Sequence, residues 1–312
     1  MADVFNKSEN MAHEFQVLTA RELMERAFAP REILLAPWLP AKGLAMIYGP
    51  RGIGKTHVAL GVAYAVATGV EFLGWKAPRP MRVLVIDGEM PAATLQVRLA
   101  NIIKRSGAEM PSPDYLRFLP MDLQERGGIN LANEADQREI AALLEGVDVI
   151  IVDNISTLAH NGRENEAESW LPIQEWALAQ KRAGRSVLFV HHAGKGGQQR
   201  GTSRREDVLD TVVALRKSDN YEPEQGARFE VHYEKARGFQ GDDAKPFEAA
   251  LIGDVWMVRD LVDAKVDRVV KLKQDGLSIR EIALETGISK SDVGRLLKKN
   301  SATASTMMPW HA

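Results

Sequence analysis

The run "GPRGIGKT", Gly49–Thr56, fills every fixed position of the spacing G-x-x-x-x-G-K-[ST]. Such a run can bind phosphate. Its glycines let successive backbone N–H groups turn inward around phosphate oxygens, and a helix starting at the lysine adds the positive end of its dipole. Gly49, Pro50, Arg51, Gly52, Ile53, Gly54, Lys55 and Thr56 are therefore the expected cradle for ATP. Lys55 is expected to reach the β- and γ-phosphates, and Thr56 to present its hydroxyl to Mg²⁺. A cation held in this way needs an acidic partner at the end of a neighbouring strand. "VDVIIVDN" offers Asp153 after four apolar residues, Val149–Val152. Asp148 is read as the strand entrance, because burying it unpaired would be costly.

Hydrolysis also needs an oriented water and a base. "RVLVIDGEM" supplies two carboxylates, Asp87 and Glu89, and their spacing alone does not separate them. The apolar run "SVLFVHH" ends in His191 and His192, which alternation sends to opposite sides of a strand. A polar side chain there could hydrogen-bond a γ-phosphate. The loop "GKGGQQRGTSRR" carries Lys195, Arg200, Arg204 and Arg205 with no acidic residue and no aromatic. That composition suits following a phosphate backbone, as in single-stranded DNA, without reading or stacking bases. Further on, "HYEKARGF" presents Lys235 and Arg237 two residues apart. Phe229, Val231, Tyr233, Lys235 and Arg237 are expected on one strand face, the last two extending beyond the sheet. These cations either meet an anion outside the Lys55 pocket or pair with Glu224, Glu230 or Glu234.

The elements that must position these groups are short β-branched runs, "GLAMIYGP", "RVLVIDGEM", "DVIIVDN" and "SVLFVHH". Helical stretches His57–Thr68, Ala92–Arg105 and Glu166–Arg182 lie between them. Strands alternating with helices predict parallel strands joined by crossovers and buried on both faces. After Thr211, "DTVVALRKS" and "ARFEVHYEKAR" follow one another without a long helix, which predicts an antiparallel extension of the same sheet. A helix over Thr19–Phe28, capped by Thr19 with Glu22 three residues on, precedes the sheet. The chain contains no cysteine, which excludes a disulfide scaffold and a Cys-ligated metal site. With a net charge of −2, contact with nucleic acid must come from local patches. No long apolar run or signal-peptide core occurs, so the reading is a cytoplasmic protein without a membrane span.

Gly49–Thr56, Glu89, Asp153 and "HHAGKGG…RGTSRREDVLDTVVAL" in this order resemble the RecA/DnaB-type ATPases, and most closely the RepA-like hexameric helicases of plasmids and mobile elements. The resemblance covers about residues 30–260. It implies an α/β RecA-like core with a mostly parallel sheet and an antiparallel extension, working as a Mg²⁺-dependent ATPase and replicative DNA helicase. It favours Glu89 over Asp87 as the base and makes His192 the γ-phosphate sensor. It places the Lys195–Arg205 loop in the central channel of a homo-oligomeric ring, a hexamer, around single-stranded DNA. It also makes Arg237, assisted by Lys235, an arginine finger offered to the neighbouring subunit's γ-phosphate.

From about residue 263 the chain becomes helical and basic, with nine Lys/Arg against five Asp/Glu over Ala264–Asn300. Helices are expected over Val266–Gln274, Ile279–Glu285 and Lys290–Lys299, with Ser278 and Ser289 as caps. Ile279, Ile282, Ala283, Ile288, Val293, Leu296 and Leu297 would form a small core. The pattern is similar to a helix-turn-helix, in which Ser289, Lys290, Ser291 and Arg295 would contact duplex DNA. The alternative partner of this module is a replication or recombination protein. The expected divisions are an arm over 1–30, an ATPase domain over 31–262, the helix-turn-helix over 263–300 and a frayed tail over 301–312. A second function class stays open: a RecA-like ATPase acting as a regulatory, recombination or helicase-loading factor.

Overall fold

The computed structural model describes residues 16–125, 127–159, 166–194, 207–218, 221, 226–253 and 255–304. The chain divides into two units at Arg31. In the first, helix α1 (Ala20–Glu25) opens on a capping box. The Glu22 N–H donates to the Thr19 hydroxyl at 3.2 Å, and the Thr19 N–H donates to the Glu22 carboxylate at 2.7 Å. The helix stops short of the expected Phe28, because Arg26 is already extended (φ −76°, ψ 124°). None of its residues is buried, so local interactions sustain it, the capping box and the i,i+4 pair of Arg21 with Glu25 at 2.9 Å.

The second unit is built on one nine-stranded sheet. In chain order its strands are β1 (Leu44–Gly49), β2 (Val83–Asp87), β3 (Leu116–Pro120), β4 (Val149–Asp153), β5 (Ser186–His192), β6 (Thr211–Arg216), β7 (Arg228–Ala236), β8 (Phe247–Ile252) and β9 (Val255–Asp260). Across the sheet they lie in the order β9-β8-β7-β6-β1-β5-β4-β2-β3. From β3 to β6 every pair is parallel, and β6 to β9 pair antiparallel. Strands β1, β2, β4 and β5 are buried at every position, because helices cover both faces. Alternation along β1 shows the two layers. Ala45 and Ile47 pack with α2 (Lys55–Thr68), whereas Leu44, Met46 and Tyr48 pack with Trp170, Ile173 and Trp176 of α6 (Glu166–Arg182).

Edge strand β3 and the β8–β9 hairpin escape the sequence reading. β3 lies in "LRFLP", which is too short and mixed to show a period, and β9 is mostly exposed. A second difference concerns the opening residues of "HYEKARGF". The β6–β7 register shifts between Val212 and Val213, which face Lys235 and Tyr233 respectively, so Glu234 is an extra, bulged residue. Phe229, Val231 and Tyr233 lie with the α2-side core. Val212, opposite Lys235, belongs to the α6-side core. Lys235 and Arg237 therefore do not share the face of the three aromatic and aliphatic residues. The bulge inverts the alternation.

The C-terminal helices are α7 (Leu261–Gln274), α8 (Ile279–Thr286) and α9 (Lys290–Ala304). Helices α3 (Ala92–Ser106), α4 (Glu134–Ala141) and α5 (Ile155–Leu158) cover the parallel half of the sheet. Ser278 forms a capping box with Glu281, and Gly287 takes the left-handed conformation (φ +66°) that ends α8. Val269, Ile282 and Val293 are buried together, with Leu272, Leu277, Ala283, Ile288, Leu296 and Leu297 around them. Ile279 is not part of this core. It is the first residue of α8 and 41% exposed, and α7 supplies Val269 and Leu272 in its place. Helix α9 continues to Ala304, past the expected end at Lys299. Among the described residues no helix is long and apolar enough to cross a membrane.

Candidate functional site

The loop between β1 and α2 makes its turn with Gly52 (φ +76°) and Gly54 (φ +106°), conformations that only glycine adopts at little cost. Gly54 caps α2 without a side-chain hydrogen bond, so the first N–H groups of the helix stay available to an anion. Ile53 is the exception in the expected cradle, since its side chain is buried in the α2-side core and anchors the loop from beneath. Lys55 is 6% exposed, and its ammonium donates to the carbonyls of Gly49 (3.0 Å) and Pro50 (2.8 Å). Burial lowers its pKa to about 8 against the attraction of Asp153 and Glu89. This ammonium is held inside the loop, poised for a polyanion.

Parallel register brings the ends of β2 and β4 together, with Asp87 opposite Asp153. Asp153 is 4% exposed, and burial followed by repulsion from Asp87 pushes its pKa up to about 7. A hydrogen bond from Thr56 and the charge of Lys55 pull it partly back. Its Oδ2 is buried and lacks a hydrogen-bond partner. An orphaned carboxylate oxygen beside a threonine hydroxyl fits Mg²⁺, which takes few protein ligands and fills its shell with phosphate oxygens and water. Thr56 and Asp153 are the residues that would hold it. Among the described residues no cluster of three or more His, Asp or Glu offers another cation cage.

The two candidate bases are in different situations. Asp87 is 2% exposed, and its Oδ1 accepts the N–H groups of Glu89 (3.0 Å) and Met90 (2.6 Å), so it shapes the turn after β2. Glu89 reaches across to Asn154, whose amide donates to Glu89 Oε2. His192 Nε2 lies 3.5 Å from the same oxygen and 3.3 Å from Asn154 Nδ2. Burial, then Lys55, lowers the His192 pKa, with Glu89 opposing. Glu89, Asn154 and His192 thus form one polar row beyond β2, β4 and β5.

These groups line a cleft of ≈ 640 Å³ that includes Gly52, Gly54, Lys55, Thr56, Glu89, Asp153 and His192. Asn154, Arg98 and Tyr221 also line it and were missed from the sequence. Asn154 follows Asp153 directly and caps α5, where its Oδ1 accepts the Thr157 N–H at 3.2 Å. "DN" closing an apolar run was its only signal. Arg98 lies four residues after Thr94 on α3, a helical spacing that places both on the cleft. His191 does not line this cleft, in keeping with the alternation along β5.

The other predicted residues are elsewhere. Lys195, Arg200, Arg204 and Arg205 lie outside the described residues, as does Glu224. Lys235 Nζ and Arg237 Nη2 both donate to the Asp207 carbonyl, at 3.3 and 3.2 Å. Glu230 meets His232 at 2.8 Å, and Glu234 meets Arg216 at 2.8 Å. In the C-terminal helices Lys290 and Arg295 are exposed, and Arg295 pairs with Asp292 at 2.6 Å. Ser289 caps α9, its hydroxyl accepting the Asp292 N–H at 3.2 Å, and contacts the Ser291 hydroxyl at 2.9 Å.

A family model described as an AAA domain, AAA_25, matches residues 9–198. A proteasome-associated ATPase of Acidimicrobium ferrooxidans is 28% identical over 162 residues, covering 48% of this chain and 27% of that protein. The DEAD-box ATP-dependent RNA helicase 21 of Oryza sativa subsp. japonica is 28% identical over 130 residues, 40% of this chain and 16% of its own length. The chain thus spans about a quarter or less of these relatives. A KaiC-like protein of Pyrococcus horikoshii superposes with a TM-score of 0.50 at 17% identity, over 72% of this chain and 93% of that one. The shared fold is the RecA-like α/β fold.

Proposed function

The chain belongs to the AAA_25 family, a P-loop ATPase family, and on that premise we propose that it is a Mg²⁺-dependent, ATP-hydrolysing homo-oligomeric motor on single-stranded DNA, a RepA-like replicative helicase. The observation that carries the assembly is the position of Lys235 and Arg237. Ala236 pairs with Thr211, and Thr211 with Ala45, near the start of β1. The phosphate loop leaves the other end of that strand, four residues on, or about 13 Å at 3.3 Å per residue. A Lys–Arg pair at the opposite end of the sheet cannot serve its own loop, but it can serve a neighbour's. In a ring or filament Arg237, with Lys235, acts as the finger in trans.

Within one subunit the geometry of the cleft supports the following roles for the other residues. Lys55 and the loop amides would bind the phosphates, and Thr56 and Asp153 would hold Mg²⁺, which would supply charge neutralisation for phosphoryl transfer. Glu89 is the base, because Asp87 is committed to backbone amides. Asn154 and His192 approach Glu89 Oε2, which leaves Oε1 as the candidate acceptor of the proton from the attacking water. His192 reports γ-phosphate loss to the chain that follows it, where Lys195, Arg200, Arg204 and Arg205 track the DNA backbone.

A second reading has its own support. The α7–α9 module buries a separate core and exposes Lys290 and Arg295, as a recruiting element for duplex DNA or a replication or recombination protein would. In that reading the protein is a RecA-like loading or regulatory factor. ATP-dependent strand displacement on a forked substrate decides between the two. Displacement that depends on Arg237 supports the helicase, whereas ATPase stimulation by single strands without displacement favours the loader.

A further inference from the structure

The bulge at Glu234 has a chemical anchor. Tyr48, 1% exposed and the last residue before the phosphate-loop glycine, donates its hydroxyl to Glu234 Oε2 at 2.5 Å. Arg216, at the end of β6, donates to Oε1 of the same carboxylate at 2.8 Å. Both oxygens are thereby held on the α6 side of the sheet, the face to which Tyr48 belongs. A one-residue change of phase moves every following side chain to the opposite face. The extra residue therefore decides where Lys235 and Arg237 point, and both reach the Asp207 carbonyl on that side.

We propose that Glu234 is a positioning residue for the cation pair, clamped by Tyr48 and Arg216 so that the bulge aims Lys235 and Arg237 at the neighbouring subunit. The inference rests on the trans role of Arg237. It adds a direct covalent and hydrogen-bonded path from one subunit's phosphate loop, through Tyr48 and Glu234, to the cations that the same subunit lends to the next. Without the clamp, the strand can pair straight through, which returns Lys235 to the face of Tyr233. Misplacement of a catalytic group by about 1 Å can cost about 10²-fold in rate, and a change of face displaces it further.

The test uses the full-length assembly. Glu234→Ala is expected to bind a fluorescent ATP analogue as the wild type does and to lose at least about 10²-fold in kcat. Glu234→Gln, which keeps an acceptor for Tyr48, should retain most of the turnover. Mixing Glu234→Ala with Lys55→Ala subunits separates the roles, because the latter cannot hydrolyse but carry an intact cation pair. Turnover regained in the mixture places the defect in what Glu234→Ala offers its neighbour. Arg237→Ala, run in parallel, should show the same loss and the same recovery. If Glu234→Ala stays inactive in a mixture that rescues Arg237→Ala, Glu234 serves only its own loop and the inference is overturned. Full activity of Glu234→Ala beside an inactive Arg237→Ala overturns the inference and leaves the trans finger standing. An active Arg237→Ala, or one that no mixture rescues, overturns both.

Discussion

Replacing Asp153 by Asn should make the ligand-free protein more stable while abolishing Mg²⁺-dependent hydrolysis. The reason is the burial of a carboxylate whose Oδ2 lacks a partner. Its pKa is about 7 in the folded chain, against an ordinary value of 3.8. The folded state thus binds a proton that the unfolded state has released over the interval between the two values, and stability falls as pH rises through it. At 1.36 kcal/mol per pKa unit, the raised pKa costs the fold about 4 kcal/mol at pH 8, where the folded carboxylate is charged, and about 2 at pH 5, where the folded group takes up a proton that the unfolded one has released. The Asp153→Asn protein carries no such cost, so its stability gain over the wild type should double between these pH values. Urea unfolding of both proteins in EDTA at pH 5 and pH 8 measures it. The midpoint difference should then shrink when Mg²⁺ and nucleotide are added, because only the wild type binds them through the carboxylate. A gain that is absent, or that does not grow with pH, would refute the claim that Asp153 is held at a cost for a cation.

Glu89→Gln keeps the hydrogen bond from Asn154 and should leave nucleotide affinity near wild type while kcat falls about 10²–10⁴-fold, as read by steady-state ATPase and equilibrium binding. Asp87→Ala strips the acceptor from two backbone amides and should cost about 1–3 kcal/mol of stability, seen as a lowered urea midpoint. Ile282→Ala opens the centre of the C-terminal core and should cost that module about 2–5 kcal/mol. Hydrogen exchange should then rise across residues 261–304 while DNA-free ATPase is preserved. The double change of Lys290 and Arg295 to Ala should weaken duplex binding across all sequences and lower its salt slope by about one for each phosphate no longer neutralised. An unchanged duplex affinity would assign α9 to a protein partner.

Much of the cleft was legible because its residues obey local rules. Gly52 and Gly54 are needed for positive φ, Lys55 starts a helix, and Asp153 closes an apolar run. Such patterns are short, and each position has one physical reason for its identity. Asn154 was not legible, because it meets Glu89 and His192 from 65 and 38 residues away, and Arg98 was not, because its place on the cleft depends on how α3 packs. The ambiguity between Asp87 and Glu89 had the same origin. Two carboxylates two residues apart look alike until one is seen to accept backbone amides and the other to meet Asn154 and His192.

By itself the sequence determined the phosphate loop, the alternation of apolar strands with helices, and the existence of a basic C-terminal helical module. All three rest on periodicity and spacing within a few turns of chain. Tertiary structure decided the register of β7. Period-two alternation predicts one face for Phe229 through Arg237, and nothing in "HYEKARGF" announces an extra residue. Only when β6 lies alongside, with Tyr48 and Arg216 reaching Glu234, does the strand bulge and carry Lys235 and Arg237 to the other side. A bulge is a property of a strand pair, so one strand's residues cannot specify it.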